Sequence, residues 1–122
     1  MLIKGREIKF LRTVGAACEI ADICPNGDMK NVGKLFEGTS KIRITNMAHI
    51  IHFLNQGYEE AKAFDEEGYV PNPISVKELM TLDEDTFNEL FVEATAAFYA
   101  DKQTVEVEPE KKKEEESPET LD

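Results

Sequence analysis

Apolar residues along this chain recur mostly three and four apart, with one short exception at the start. From Met1 to Phe10 they alternate loosely around Lys4-Gly5-Arg6. That suits a small β-hairpin with Gly5 where a positive φ is needed and Met1, Ile3, Ile8 and Phe10 on its apolar face. Thr13 then opens a helix (VGAACEIADIC) whose small residues Gly15, Ala16 and Ala17 would admit a close neighbour. Pro25-Asn26-Gly27-Asp28 closes it, and Asp28 is placed to cap a second short helix through Phe36. Gly38 supplies the left-handed residue after that helix, and Thr39-Ser40 the next cap.

The most hydrophobic helix is predicted over Lys41 to Gln56. Ile44, Met47, Ala48, Ile51 and Leu54 form one stripe, widened by Ile42, Ile50 and Phe53, while Thr45, His49, His52 and Gln56 fall on the opposite face. A stripe this broad belongs to the helix around which the others pack. Gly57 is expected to stop it, and Tyr58 to Glu67 to form a separate helix with Ala61 and Phe64 inward. Gly68 to Pro73 reads as a stiff extended connector, because a residue before proline is pushed out of the helical region. Ser75-Val76-Lys77-Glu78 has capping-box spacing, with Ile74 and Leu79 at the staple positions. Asp83 caps the last helix, with Leu82 and Phe87 at staple spacing and Glu84 and Asp85 where the helix dipole favours negative charge. That helix carries Phe87, Leu90, Phe91, Ala94, Ala97 and Phe98 on one face and a second, shallower strip of Val92, Ala96 and Tyr99. The second strip is expected as core against another helix, with a partner-facing surface as the alternative.

At 122 residues the chain has room for one domain. Its charge divides unevenly: residues 1–102 carry 17 acids and 11 bases, residues 103–122 carry 8 acids and 3 bases. The last stretch has no aromatic residue and only Val105, Val107 and Leu121 to bury, too little to offset an ordering cost of ~1–2 kcal/mol per backbone residue. The fold predicted is therefore mainly α. It is a compact multi-helix domain over 1–102 with a short N-terminal β-hairpin, followed by a flexible, disordered acidic tail over 103–122. Within that tail Thr104 to Val107 alternates and is open to pairing as a short edge strand.

A net charge of −11 argues against partners that are nucleic acids or anionic membranes, since both are bound through a surplus of Lys and Arg. No apolar run approaches the roughly 20 residues of a membrane span, and Met1-Leu2-Ile3 is broken at once by charge, so no signal peptide is expected. Cys18 and Cys24 lie about 240° apart around a helix, which prevents a bridge and predicts reduced, buried or half-buried thiols in a cytoplasm.

Candidate chemistry is sparse. His49 and His52 share a helix face, but two imidazoles are fewer than the three or four ligands of a zinc site, and a solvated or hydrogen-bonded pair is expected. Glu59-Glu60, Asp65-Glu66-Glu67 and Glu84-Asp85 read as solvated charge at helix ends rather than paired catalytic carboxylates. Asp83-Glu84-Asp85 lacks the glycine and later glutamate of a calcium loop, and neither a nucleophile elbow nor a Gly-rich phosphate loop occurs. Neither an enzyme nor a bound cofactor or metal is expected.

Several segments stand out together: Gly5-Arg6-Glu7-Ile8-Lys9-Phe10, Thr13-Val14-Gly15-Ala16 with Glu19-Ile20-Ala21, and the Cys24-Pro25-Asn26-Gly27-Asp28 turn. Glu78-Leu79-Met80, Phe87-Asn88-Glu89-Leu90 and Ala97-Phe98-Tyr99-Ala100-Asp101 follow, running into Thr104-Val105-Glu106-Val107-Glu108 and a Lys/Glu-rich end. Taken as a set, these segments resemble the tail assembly chaperones of long-tailed bacteriophages and prophages of Gram-positive bacteria. The resemblance implies a small helical, self-associating, non-enzymatic protein of the infected bacterial cytoplasm, absent from the finished virion. Its partners would be the tape measure protein, which it keeps soluble, and the major tail tube protein, whose assembly it assists. A longer form made by ribosomal frameshift is also implied, for which Lys111-Lys112-Lys113 is either the slippery codon run or simply part of a mixed-charge tail. Partner-binding residues are expected at Phe87, Leu90, Phe91, Val92, Ala96 and Tyr99. Competing readings are an acidic DNA mimic that inhibits a host nuclease or repressor, and a generic helical adaptor. A mimic would line its acids along one face, whereas here they gather at caps and in the tail.

Overall fold

The computed structural model describes residues 1–104, and side chains through Ala100. Strands β1 (Leu2–Ile3) and β2 (Arg6–Glu7) pair antiparallel, Leu2 opposite Glu7 and Ile3 opposite Arg6. Lys4 (φ 53°) and Gly5 (φ 82°) form the two-residue turn, both with the positive φ that matches the twist of a hairpin. Ile3 and Ile8 are buried beneath it, and Met1 and Phe10 pack against the same core. Helix α1 (Val14–Ile23) starts on Thr13, whose hydroxyl accepts from Ala16 N. After the Pro25–Gly27 turn, Asp28 caps Met29–Phe36 as expected, but this segment winds as a 3₁₀ helix rather than an α-helix. Gly38, at φ 98°, follows it.

Helix α2 (Ser40–Asp65) is the centre of the fold, touching α1, the 3₁₀ segment, α3 (Val76–Leu79) and α4 (Glu84–Thr104). It is one helix where two were expected. Gly57 does not stop it, because this glycine is there to make room: a Cβ would stand 2.5 Å from the Leu11 carbonyl oxygen, 2.9 Å from the Thr13 hydroxyl and 3.2 Å from the Ala16 Cβ. Leu11 N donates to the Leu54 carbonyl at 3.0 Å in the same place. The close approach anticipated from Gly15, Ala16 and Ala17 is therefore made by Ala16 against Gly57, and Gly15 is exposed.

Continuity of α2 fixes the phase of its second half and corrects another expectation. Phe64 points to solvent, 91% exposed, and Ala61 is half-buried. At the other end Ile42 and Ile44 are exposed, so the buried stripe begins at Ala48 and runs through Ile50, Ile51 and Leu54. The connector from Gly68 to Pro73 is irregular, as its prolines require. The Ser75–Glu78 capping box is complete, with Ile74 and Leu79 buried at its staple positions. Asp83 accepts from Thr86 N (3.0 Å) and Thr86 Oγ1 (2.7 Å) at the start of α4. Phe87, Leu90, Ala94 and Phe98 of α4 close the core.

Gln103 and Thr104, expected as the start of the tail, are the last residues of α4. The remainder of the edge strand expected over Thr104–Val107, the rest of the acidic tail and Lys111–Lys113 lie outside the described residues. Among the described residues no helix is long and apolar enough to cross a membrane.

Candidate functional site

At 100° per residue, α4 turns Phe87, Leu90, Ala94 and Phe98 toward the core and brings Phe91, Thr95 and Tyr99 onto its flank. The 3₁₀ segment runs beside that flank, and the Phe36 and Phe91 rings meet edge-on with centroids 5.7 Å apart. Between them lies a groove of about 120 Å³ lined by Val32, Phe36, Ile50, Phe91, Thr95, Phe98 and Tyr99. Thr95 and Tyr99 bring the two hydroxyl groups among its lining side chains, and the rest are hydrocarbon. Val92 (67% exposed) and Ala96 continue the apolar surface of α4 outward from the groove, next to Tyr99 at 44%.

The six residues expected to bind a partner thus separate into three groups. Phe87 and Leu90 are core residues, 7% and 0% exposed, and offer no surface. Phe91 and Tyr99 line the groove. Val92 and Ala96 form the exposed strip beside it, so the strip expected as core is surface. Val32 and Phe36 were not singled out from sequence, since a short helix gives no periodicity to show which neighbour it will lie against.

A second feature, on α2, is polar and structural. His52, Asn55 and Glu59 follow one another at three- and four-residue spacing and grip the connector between α2 and α3. The Asn55 side chain is wholly buried, accepting from Ile74 N at 2.7 Å and donating to the Lys9 carbonyl at 2.8 Å. Glu59, 5% exposed, accepts from the Tyr69 hydroxyl (2.5 Å) and Asn72 N (3.0 Å). The hydrogen bond to Glu59 raises the Tyr69 phenol pKa, and the Lys62 ammonium lies 4.7 Å over the Tyr69 ring. Glu59 is therefore not the solvated charge expected of the Glu59-Glu60 pair. An unbroken α2 aims it at the connector.

The two histidines are hydrogen-bonded separately. His49 Nδ1 lies 2.9 Å from the Thr45 carbonyl and His52 Nδ1 lies 2.7 Å from the Ile74 carbonyl. A carbonyl oxygen only accepts, so both Nδ1 atoms carry the proton. Among the described residues no group of three or more His, Cys, Asp or Glu could hold a metal ion. Cys24 is buried, donates to the Ile20 carbonyl at 3.2 Å, and has its thiol pKa pushed up by burial and by Asp28. Cys18 is exposed rather than buried or half-buried.

The fold and site define a small, mainly helical protein with an apolar groove on its surface. Comparison with family models, curated proteins and solved structures finds no match to this chain.

Proposed function

We propose that this protein is a non-enzymatic phage tail assembly chaperone of the bacterial cytoplasm. It binds and solubilises the tape measure protein and assists the assembly of the tail tube around it. The observation that carries the reading is the apolar groove between α4 and the 3₁₀ segment, extended by Val92 and Ala96, on a chain of net charge −11. Apolar area gives a helical client something to bury against, at roughly 25 cal/mol per Å². The surplus of carboxylates keeps the resulting complex in solution.

Co-expression of the full chain with the tape measure protein of the same genome tests this. The client should move from the insoluble to the soluble fraction and co-purify with the chain. Val92→Asp should reduce that recovery several-fold while leaving the protein's own stability within about 0.5 kcal/mol, as for other exposed positions. Full rescue by both Val92→Asp and Tyr99→Asp places the client elsewhere on the molecule. No rescue by the unaltered chain overturns the proposal, and recovery of a host DNA-binding protein instead favours the acidic mimic.

A further inference from the structure

A second cleft, of about 460 Å³, opens between the hairpin and α3. Lys4 and Arg6 reach it from the hairpin and Lys77 from α3, with Ser75 and Thr81 beside them. None of these three cations has an ion pair among the described residues, although the chain carries 25 acids. The one carboxylate lining the cleft, Glu78, accepts from Ser75 N at 2.9 Å in the capping box and feels Arg6 and Lys4 through space, so three cations face a single acid, while Asp83, beside Lys4, is held by Thr86. The cleft is thus a local positive site on an acidic protein.

We propose that its occupant is this chain's own segment Glu114–Asp122. Charge complementarity and reach both point there. The segment holds Glu114, Glu115, Glu116, Glu119 and Asp122 and no base. The cleft includes Thr81 and Leu82, just before α4 begins, and the described chain ends at Thr104, the far end of the same helix. The 21 residues of α4 separate the two by about 30 Å at 1.5 Å per residue. Ten residues lead from Thr104 to Glu114, spanning at most about 33–36 Å, so the first glutamate just reaches and the later acids reach with slack. Tethering raises the local concentration of the segment into a range where weak ion pairs are populated. The contact is electrostatic and therefore salt-sensitive. It is independent of the groove beside α4, and its test does not involve a client.

Paramagnetic relaxation on the full chain reads it directly. A nitroxide is attached at Ser117→Cys in a Cys18→Ser background, where Cys24 is buried. At low salt the amide signals of Lys4, Arg6, Ser75 and Lys77 should be attenuated about twofold more than the average described residue. About 0.5 M NaCl, or the triple variant K4Q/R6Q/K77Q, should abolish the difference. Uniform attenuation, or attenuation centred on the α4 groove, overturns the proposal. Attenuation of an isotope-labelled chain by a separate spin-labelled one, with none within a chain, overturns it in favour of exchange between two copies.

Discussion

Ala48, Ile51 and Leu54 on α2 sit at 0% exposure among other carbon atoms, whereas Asn55 and Glu59 on the same helix, just as buried or nearly so, face hydrogen-bonding groups. The difference follows from what each side must hold. Helices α1 and α4 satisfy their own backbones, so apart from the Leu11 N to Leu54 carbonyl bond at the entry to α1, burial is what fixes them against α2. The connector from Glu66 to Ser75 carries Pro71 and Pro73 and makes no ladder of its own. Its buried backbone groups need partners. Asn72 N, Ile74 N and the Ile74 carbonyl find them on Glu59, Asn55 and His52. Asn55 also holds Lys9, so one side chain fixes both the hairpin exit and the approach to α3.

Paired substitutions test that contrast. Leu54→Ala should cost about 2–5 kcal/mol through lost burial and an unfilled cavity. Asn55→Ala leaves Ile74 N and the Lys9 carbonyl without a partner, at roughly 1–3 kcal/mol each. The total losses are similar, but hydrogen exchange should separate them. Leu54→Ala lowers protection throughout the core together. Asn55→Ala lowers it first at Ile74. If Asn55→Leu proves as stable as the parent chain, the polar side of α2 is dispensable and the contrast fails.

Gly57 sharpens the comparison with a smaller effect, because it lies between the two sides. Gly57→Ala improves helix propensity by about 1 kcal/mol yet drives a methyl group into the Leu11 backbone. The steric effect should win, with a net loss of about 1–3 kcal/mol by chemical denaturation. A stabilised variant would mean the Leu11–Thr13 segment can retreat from α2. The same residue marks the limit of what the chain's pattern reveals. Caps were legible because each is a local sentence: Thr13, Asp28, Thr39, Ser75 and Asp83 all bond the backbone two or three residues onward. The buried faces of α2 and α4 were legible through their period. Gly57 was not, since a glycine that ends a helix and one that admits a neighbour look alike until the neighbour is placed. Misreading it also misplaced Phe64 and hid Glu59. Half of the groove was legible for a similar reason: Phe91 and Tyr99 belong to a long periodic helix, while Val32 and Phe36 belong to a short one.

The smallest effect expected is on the acid side of the stability curve. Glu78 has its pKa lowered by the bond from the Ser75 backbone and hydroxyl, with Arg6 and Lys4 adding to it, and Asp83 has its own lowered by Thr86. A carboxyl whose folded pKa lies below its unfolded one contributes stability above the unfolded value and loses it as pH falls through the folded value. With ordinary values of 4.5 and 3.8, both contributions are intact at neutral pH and disappear as the pH drops below that range. Both groups are exposed, so solvent screening keeps the effect small. Glu78→Gln should therefore match the parent chain more closely at low pH than at pH 7, with thermal melts recorded from pH 7 downward as the measurement. Ser75→Ala removes the reciprocal bond of the same box and should cost about 0.5–2 kcal/mol. If Glu78→Gln instead lowers stability equally at every pH, the glutamate acts through its shape and not its charge. The capping box would then join the apolar side of the comparison, where burial and fit hold the chain and ionisation is incidental.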